Sequence, residues 1–247
     1  MRSEAGEADV QVAGLSFQLR TGTADAHKTA ERAAFVRGFL RGIVDVKAYR
    51  SLLERLYPVY REMEALIRRG RTHPAVGPLN RPELFRTDAL AADIEFFGGD
   101  VRSVLPLSAA TRRYVQRLRE VGAQAPALLA SHAYTRYLGD LSGGRVLAKM
   151  LRKSLRLVPG EGDAFYAFDR IDDVAVYKAD YKRMLDRLPL GEITQSVMVD
   201  EAQLAFGFNR QIFDELDGSA FRALVQTMAP SLSRWIYRFS AARSTLR

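Results

Sequence analysis

Apolar residues recur at intervals of three and four along most of this 247-residue chain, and that spacing constrains the fold more than any other feature. Such spacing places apolar side chains on one face of an α-helix, which then packs against a core. The clearest case runs from Val46 to Arg69 and contains Leu52, Leu53, Leu56, Tyr57, Val59, Tyr60, Met63, Leu66 and Ile67. Strand-like alternation is not evident, so the sequence predicts an all-α protein.

Glycine, proline and capping residues divide this pattern into separate helices. Ser108 is a good N-cap, and Pro159-Gly160 is typical of a segment that ends a helix. After the first long helix, the predicted helices cover residues 84–97, 108–121, 126–157, 173–188, 191–216 and 220–247, the last one kinked at Pro230. We predict a mobile lead-in over residues 1–14, one domain of about eight helices over 15–217 and a C-terminal helical extension over 218–247.

Composition narrows the class of protein. The chain contains no cysteine, which excludes disulfides, iron–sulfur clusters and thiolate zinc sites and fits a reducing cytoplasm. It has no run of about 18 apolar residues, so no membrane span is expected. The opening MRSEAGEADVQVAG lacks the pattern of a signal peptide. We expect a cytoplasmic protein, with a monomer as the default.

The net charge of +8 favours an anionic partner, such as a nucleic acid, a membrane surface, an acidic protein or an anionic ligand. Basic and acidic residues alternate on most predicted helices, as they do on an ordinary solvated face. This distribution argues against nucleic-acid binding, which usually shows a concentrated basic patch.

Only three histidines are available as nitrogen ligands for a metal. His73 precedes a proline in a predicted turn, and His132 lies within an apolar helical segment. His27 lies in RTGTADAHKTAERAAF, with Glu31 four residues later on the same helix face. His27 is therefore either an axial haem ligand whose other ring nitrogen is held by a carboxylate such as Glu31, or a surface histidine of an amphipathic helix.

The segment HAYTRYLGDLSGG, residues 132–144, is the least ordinary part of the chain. Gly139 and Gly143 share one face of a helix, where each glycine costs about 0.5–1 kcal/mol relative to alanine. Two gains could offset this cost: close packing of a neighbouring helix, or a flat ligand pressed against bare backbone. Arg136 and Asp140, one turn apart, could simply pair, or Asp140 could order water aimed at that ligand.

Further along the chain, Lys178 and Lys182 lie four residues apart on one helix face. They could clamp a dianionic group such as two propionates, or belong to a solvated face. Arg20 lies about two turns before His27, on nearly the same face. Phe206 and Asn209 could present a ring and a polar group to a pocket, although such pairs are common in helical cores.

These segments carry a family resemblance. LASHAYTRYLGDLSGGRVLAKM, residues 129–150, resembles the signature of heme oxygenases nearly letter for letter. LRTGTADAHKTAE and LYPVYREME resemble the N-terminal third of that family, and EAQLAFGFNRQIFDEL resembles its C-terminal third. The resemblance extends over residues 15–217 and is strongest to bacterial and cyanobacterial members.

The resemblance implies a single-domain helical fold in which haem lies between a proximal and a distal helix. It implies that His27 is the axial iron ligand, with Glu31 close by, and that Gly139 and Gly143 lie over the haem. It places a water-ordering carboxylate at Asp140. The remaining implied positions are Arg136 and Tyr60 beside that carboxylate, Arg20, Tyr134, Lys178 and Lys182 near the propionates, and Phe206 and Asn209 beside the pocket.

The resemblance also implies the reaction. Haem b would be both cofactor and substrate, and O₂ with electrons would convert it into biliverdin, by the usual α-meso cleavage, together with CO and Fe²⁺. The electron donor would be an acidic protein such as ferredoxin, or a flavoprotein reductase. Two alternatives stay open: a haem carrier or sensor on the same fold, disfavoured by Asp140, and a helical interaction or nucleic-acid-binding protein, disfavoured by the dispersed charges.

Overall fold

The computed structural model describes residues 13–41, 45–104, 107–190 and 192–216. Within these ranges the regular structure is helical and contains no strand, so the predicted all-α class is confirmed. The described residues also contain no helix that is both long and apolar enough to cross a bilayer. Residues 1–12 of the predicted lead-in over 1–14, and the whole predicted extension over 218–247, lie outside the described residues.

Ten α-helices and one π-helical segment make up the described fold, with short 3₁₀ turns between some of them. The helices are α1 (Leu15–Gly22), α2 (Ala24–Glu31), α3 (Ala34–Leu40), α4 (Val46–Arg69), α5 (Thr87–Phe96), α6 (Ala109–Gln124), α7 (Leu129–Ala133), α8 (Gly139–Leu155), α9 (Val174–Asp186) and α10 (Glu192–Leu216). The π segment, Tyr134–Leu138, joins α7 to α8 without a break.

Helix α4 has the predicted bounds, because its apolar face is strong enough to fix them. Residues such as Leu53, Val59 and Met63 are fully buried, and the helix packs against α5, α6 and α10. Ser108 caps α6 as predicted, since its hydroxyl accepts a hydrogen bond from the backbone N–H of Thr111.

Two predicted segments differ in the structure. The expected helix over residues 84–97 begins only at Thr87, because the buried carboxylate of Glu64 binds the chain there: it accepts from the backbone N–H of Arg86 at 2.6 Å and from the hydroxyl of Thr87 at 2.6 Å. The expected continuous helix over 126–157 is a 3₁₀ turn, α7, the π segment and α8. π segments inside α-helices are frequent at functional sites.

Helix α10 holds the two short N-terminal helices through their backbone carbonyls. The Gln203 side-chain amide donates to the carbonyl of Gly22 at 2.8 Å, and the Arg210 guanidinium donates to the carbonyl of Thr29 at 2.9 Å. These bonds satisfy acceptors that a helix end leaves without an intrahelical partner. The orientation of α2, which carries His27, therefore depends on α10.

A buried polar network joins α6, α7 and α10. Glu201 on α10 is only 2% exposed, and its carboxylate accepts from Nε2 of His132 at 2.9 Å and from the Arg117 guanidinium at 3.0 and 2.6 Å. Since a carboxylate can only accept, Nε2 of His132 carries the proton. His132 therefore has a structural role in joining these helices.

We predict that Glu201→Gln lowers the free energy of unfolding by about 3 kcal/mol, because breaking a buried ion pair leaves the remaining charges uncompensated. Burial by itself would raise the pKa of Glu201, but hydrogen bonds from His132 and Arg117 outweigh it and lower that pKa from 4.5 to about 2. The depressed pKa means that this stabilisation is present above pH 4.5 and is lost as the pH falls toward 2. Denaturant unfolding of both proteins at a series of pH values measures this.

Glu120→Gln is the matched control, since Glu120 also pairs with Arg117 but is exposed at the surface. The free energy of unfolding of Glu120→Gln should be lower than that of the parent protein by less than about 1 kcal/mol. A Glu201→Gln variant as stable as the parent at neutral pH would contradict the assigned role.

Candidate functional site

A cleft lies between α2 on one side and the π segment with the start of α8 on the other. It consists of two adjoining cavities of about 400 Å³ and about 180 Å³. His27, Thr135, Gly139 and Phe206 line both of them, which shows that the two cavities are parts of one space. We call this space the front cleft. It brings His27 and the glycine segment together, although they are more than 100 residues apart in the sequence.

His27 lies at the wall of the front cleft and is solvent-exposed. Its imidazole contacts the ring of Phe206 edge to face, with the ring centroids 5.6 Å apart. Phe206 on α10 thus packs its ring against the imidazole and lines the front cleft, where the sequence analysis allowed a ring to lie. The backbone of Glu31 ends α2, and its side chain lies outside the described part of the structure, so its pairing with His27 stays a prediction.

We call the side of the front cleft formed by the π segment and the start of α8 the distal wall. Its two glycines, Gly139 and Gly143, have open space beside them. A Cβ atom built on Gly139 or Gly143 has no neighbour within 4 Å other than the helix itself, whereas one built on Gly144 would lie 3.2 Å from the ring of Tyr166. Gly139 also has ordinary helical dihedral angles, φ −62° and ψ −50°. Close packing of a neighbouring segment therefore explains Gly144 but not Gly139, which lines the front cleft, or Gly143, which lies one turn later on the same helix face.

A hydrogen-bonded network lies beside this glycine face. The Tyr60 hydroxyl on α4 donates to the carboxylate of Asp140. The guanidinium of Arg136 donates to the Tyr60 oxygen at 2.8 Å and to Oδ1 of Asn209 at 2.6 Å, and lies 3.6 Å from Asp140. The simple pairing of Arg136 with Asp140 is thus one contact within a network that spans α4, the π segment, α8 and α10.

Burial changes the proton affinity of this network. Burial raises the pKa of Asp140, and this effect outweighs the opposing influence of Arg136, the Tyr60 hydrogen bond and Arg86. Burial likewise raises the pKa of Tyr60 well above its ordinary value. A buried carboxyl group with a raised pKa can hold and release a proton closer to neutral pH than an exposed one. Asp140 can therefore act as a proton donor beside the cleft.

Cations lie along the edge of the larger cavity. Arg20, Lys28, Lys178 and Lys182 all line it, together with Tyr134. Among the described residues, Lys178 and Lys182 take part in no ion pair within 4.0 Å, because the acid between them in the sequence, Asp180, pairs with Arg81 and Arg183. The structure thus brings the predicted basic residues together, with two charges available to an anionic ligand.

Several residues that line the front cleft were not predicted from the sequence. Lys28 lies directly after His27 and lines the same cavity, so its position beside a candidate ligand was an available signal. The smaller cavity is lined largely by apolar side chains on α3, α4, α8, α10 and the 3₁₀ turn Ala164–Tyr166 that the sequence does not distinguish from an ordinary core. They are Val36, Phe39, Leu52, Leu56, Leu147, Phe165 and Phe213.

Comparison with known proteins decides the family. The sequence model of the heme oxygenase family matches residues 13–215. Heme oxygenase 1 of Synechocystis is 42% identical over 221 residues, which cover 89% of this chain and 92% of that protein. A crystal structure of heme oxygenase-1 from Synechocystis in complex with heme superposes with a TM-score of 0.83 at 41% identity, covering 89% of this chain and all of that one.

This chain belongs to the heme oxygenase family.

The predicted family, the helical fold, the oxidoreductase activity and haem as substrate are thereby confirmed. A TenA homologue from P. horikoshii shares the fold alone, with a TM-score of 0.61 at 9% identity, so the chemistry depends on the residues of the cleft. Those residues fit haem: bare glycine backbone accepts a flat macrocycle, a histidine faces it, and cations lie at the edge.

We predict that Gly139→Ala and Gly143→Ala each stabilise the haem-free protein by about 0.5–1 kcal/mol, because alanine favours the helix and the added methyl meets only open space. The same methyl occupies the surface against which we expect haem to pack. Haem affinity should fall by about tenfold, equivalent to about 1.4 kcal/mol. Thermal unfolding without haem and absorbance titration with hemin measure the two effects.

Gly207→Ala is the matched control, since its Cβ also meets open space but Gly207 lies on α10, away from the α8 face that Gly139 and Gly143 share. It should give the stabilisation without the loss of affinity. Unchanged haem affinity in both cleft variants would refute the assignment of the glycine face to the ligand.

Proposed function

We propose that this chain binds haem b through His27 and oxidises it with O₂ and electrons to biliverdin, CO and Fe²⁺. The observation that carries the proposal is a buried, hydrogen-bonded Asp140 beside the bare glycine face, with His27 lining the same cleft. A carrier or sensor of haem needs the ligand and the flat surface but has no use for a buried distal acid.

His27 would supply the imidazole nitrogen that binds the iron. When bound, haem supplies the iron that activates O₂ and is itself the molecule that is cleaved. A neutral imidazole donates less electron density to iron than a thiolate does, and so favours O–O bond cleavage less. Arg210 and Gln203 hold the α1–α2 region through backbone carbonyls, and Phe206 limits rotation of the ring.

Asp140 would order water on the distal side and deliver protons through it. Tyr60 and Arg136 fix the carboxylate, and Asn209 in turn fixes the Arg136 guanidinium. A proton passed through ordered water needs no bulky acid over the iron, where Gly139 and Gly143 leave space. The two glycines would therefore leave room for O₂ and water on the distal side, and the hydrogen-bonded network of Asp140 would supply the protons.

The basic edge would bind the two propionates. Arg20, Lys178 and Lys182, with the Tyr134 side chain, line one end of the cleft, and Lys28 adds a fourth cation. Cations gathered at one edge favour one orientation of the macrocycle over its reverse, because only that orientation places the carboxylates beside them. We infer α-meso cleavage from the family resemblance. Monomeric state and cytoplasmic location stay predictions.

The first test uses hemin, ascorbate and O₂ with His27→Ala. In the parent protein the Soret band should decay while biliverdin absorption appears. In His27→Ala the rate should fall by about 100-fold or more, since even the outer partners of metal ligands typically contribute 10–100-fold. Added free imidazole should restore a native-like spectrum by filling the vacated position.

His73→Ala is the control, since His73 lies in a turn and does not line either cavity. A Soret band that persists in the parent protein without any biliverdin would support a carrier and contradict the proposed enzyme. A native spectrum in His27→Ala without imidazole would contradict the ligand assignment.

The electron donor is proposed to be an acidic protein, such as ferredoxin, that approaches the basic edge. The support is the net charge of +8 together with the cluster of lysines at the cleft. Electrostatic steering of this kind raises association rates about 10–10³-fold and weakens with salt. A flavoprotein reductase with an acidic surface would satisfy the same argument.

Turnover driven by reduced ferredoxin should therefore slow by about tenfold as ionic strength rises from about 0.01 M to about 0.15 M, because the screening length shrinks from about 30 Å to about 8 Å. Ascorbate-driven turnover of the same sample serves as the control and should change little. Equal salt dependence of the two reactions would argue against steering by the basic edge.

A further inference from the structure

A second cavity, of about 570 Å³, reaches Asp140 from another direction. We call it the rear cavity. It lies between the first turns of α8, contributed by Leu141 and Arg145, and the chain from Tyr166 to the start of α9. At 3.6 residues per turn, Leu141 lies about 200° around the helix axis from Gly139. The rear cavity is therefore on the side of α8 opposite the glycine face.

Asp140 and Tyr166 are the residues that line both the rear cavity and the apolar part of the front cleft. The Asp140 side chain is 10% exposed, although it accepts the hydrogen bond of Tyr60 and lies beside Arg136. The carboxyl group thus separates two spaces. It belongs to the partition between them rather than to the end of one.

The opening of the rear cavity carries carboxylates. Asp169 and Asp172 are exposed, line the cavity and take part in no ion pair among the described residues. Asp173 also lines it but caps α9, since it accepts from the backbone N–H groups of Ala175 and Val176. Exposed carboxylates at an opening attract cations, protons included, and exchange them rapidly with water.

A flat ligand against Gly139 and Gly143 would cover the front cleft and with it the front approach to Asp140. The reduction of O₂ consumes protons, so Asp140 must regain a proton each time it gives one up. Four side chains from different parts of the fold interact electrostatically with Asp140. They are Tyr60, Tyr166, Arg136 and Arg86. Both tyrosines stay uncharged near neutral pH, because burial raises their pKa. The two arginines stay positively charged there.

We propose that the rear cavity is the route by which protons pass from solvent to Asp140 while haem occupies the front cleft. A proton moves from a hydrated acid at the opening, through water in the cavity, to the Asp140 carboxylate. Asp140 passes its proton to water on the haem side, so that one proton enters for each one delivered. This inference rests on the proposed function, because it requires Asp140 to be the distal proton donor.

The main test closes the cavity with Ala175→Trp, since Ala175 is exposed and lines the rear cavity. Ala179→Trp is the matched control: Ala179 is exposed one turn later on the same helix and lines neither the rear cavity nor the front cleft. Single-turnover cleavage of haem should slow by about tenfold in Ala175→Trp. This is less than the rate enhancement of about 10²–10⁴-fold that general acid catalysis contributes, because the variant slows proton supply without removing the acid. Its solvent deuterium isotope effect should rise, and Ala179→Trp should match the parent.

A readout independent of turnover comes from the ferric haem complex. After a rapid pH jump, its absorbance should relax more slowly in Ala175→Trp, with the same final spectrum and the same haem affinity as the parent. A structural disturbance of the front cleft would instead change the final spectrum or the affinity, and would count against the proposal.

A second variant leaves the cavity open and removes the acids at its opening. The double variant Asp169→Asn with Asp172→Asn should slow cleavage, and small carboxylic acids such as acetic acid and formic acid should restore the rate. The same additives should not restore Ala175→Trp, in which the route is blocked. Asp200→Asn, an exposed acid on α10, is the control.

Parental rates and parental pH-jump relaxation in both Ala175→Trp and the double variant would overturn the inference. That outcome would leave the proposed function intact, provided that the parent protein cleaves haem and that Asp140→Asn does not. Failure of the parent protein to cleave haem would instead overturn the proposed function itself.

Discussion

A buried carboxyl group, Asp140, is the feature on which the rest of the site depends. Burying it alone would be costly, and the cost is offset only because Tyr60 donates to it and the Arg136 guanidinium lies alongside, held in turn by Asn209. Those partners come from α4, the π segment and α10. The packing of the helix bundle is therefore also what places the proposed proton donor beside the glycine face.

The local geometry of the distal wall follows from the same segment. The π turn over Tyr134–Leu138 directs Arg136 inward, where it is 8% exposed, and is followed at once by the glycine face. Gly139 and Gly143 keep helical continuity while leaving open space for a flat ligand. On the opposite wall, α2 is too short to hold itself in place, and α10 supports it through backbone carbonyls.

The sequence predicts part of this structure for clear physical reasons. The bounds of α4 follow from its amphipathic pattern, and the resemblance predicts His27, Gly139, Gly143 and Asp140 as site residues. The π segment could not be predicted, because the sequence YTRYL has the pattern of an ordinary α-helix. Nor could the bond between Arg136 and Asn209, 73 residues apart, since pairing across helices leaves no local pattern. The apolar half of the cleft has the composition of a core and becomes recognisable only as a cavity.

The most direct test of the account compares absorption spectra of the parent protein and Asp140→Asn during reduction of their hemin complexes in air. Asparagine keeps the shape of the side chain but can neither take up nor release the proton. The account predicts equal haem affinity, loss of the Soret band with formation of biliverdin in the parent, and no biliverdin in Asp140→Asn. Biliverdin formed by Asp140→Asn at the parental rate would contradict it.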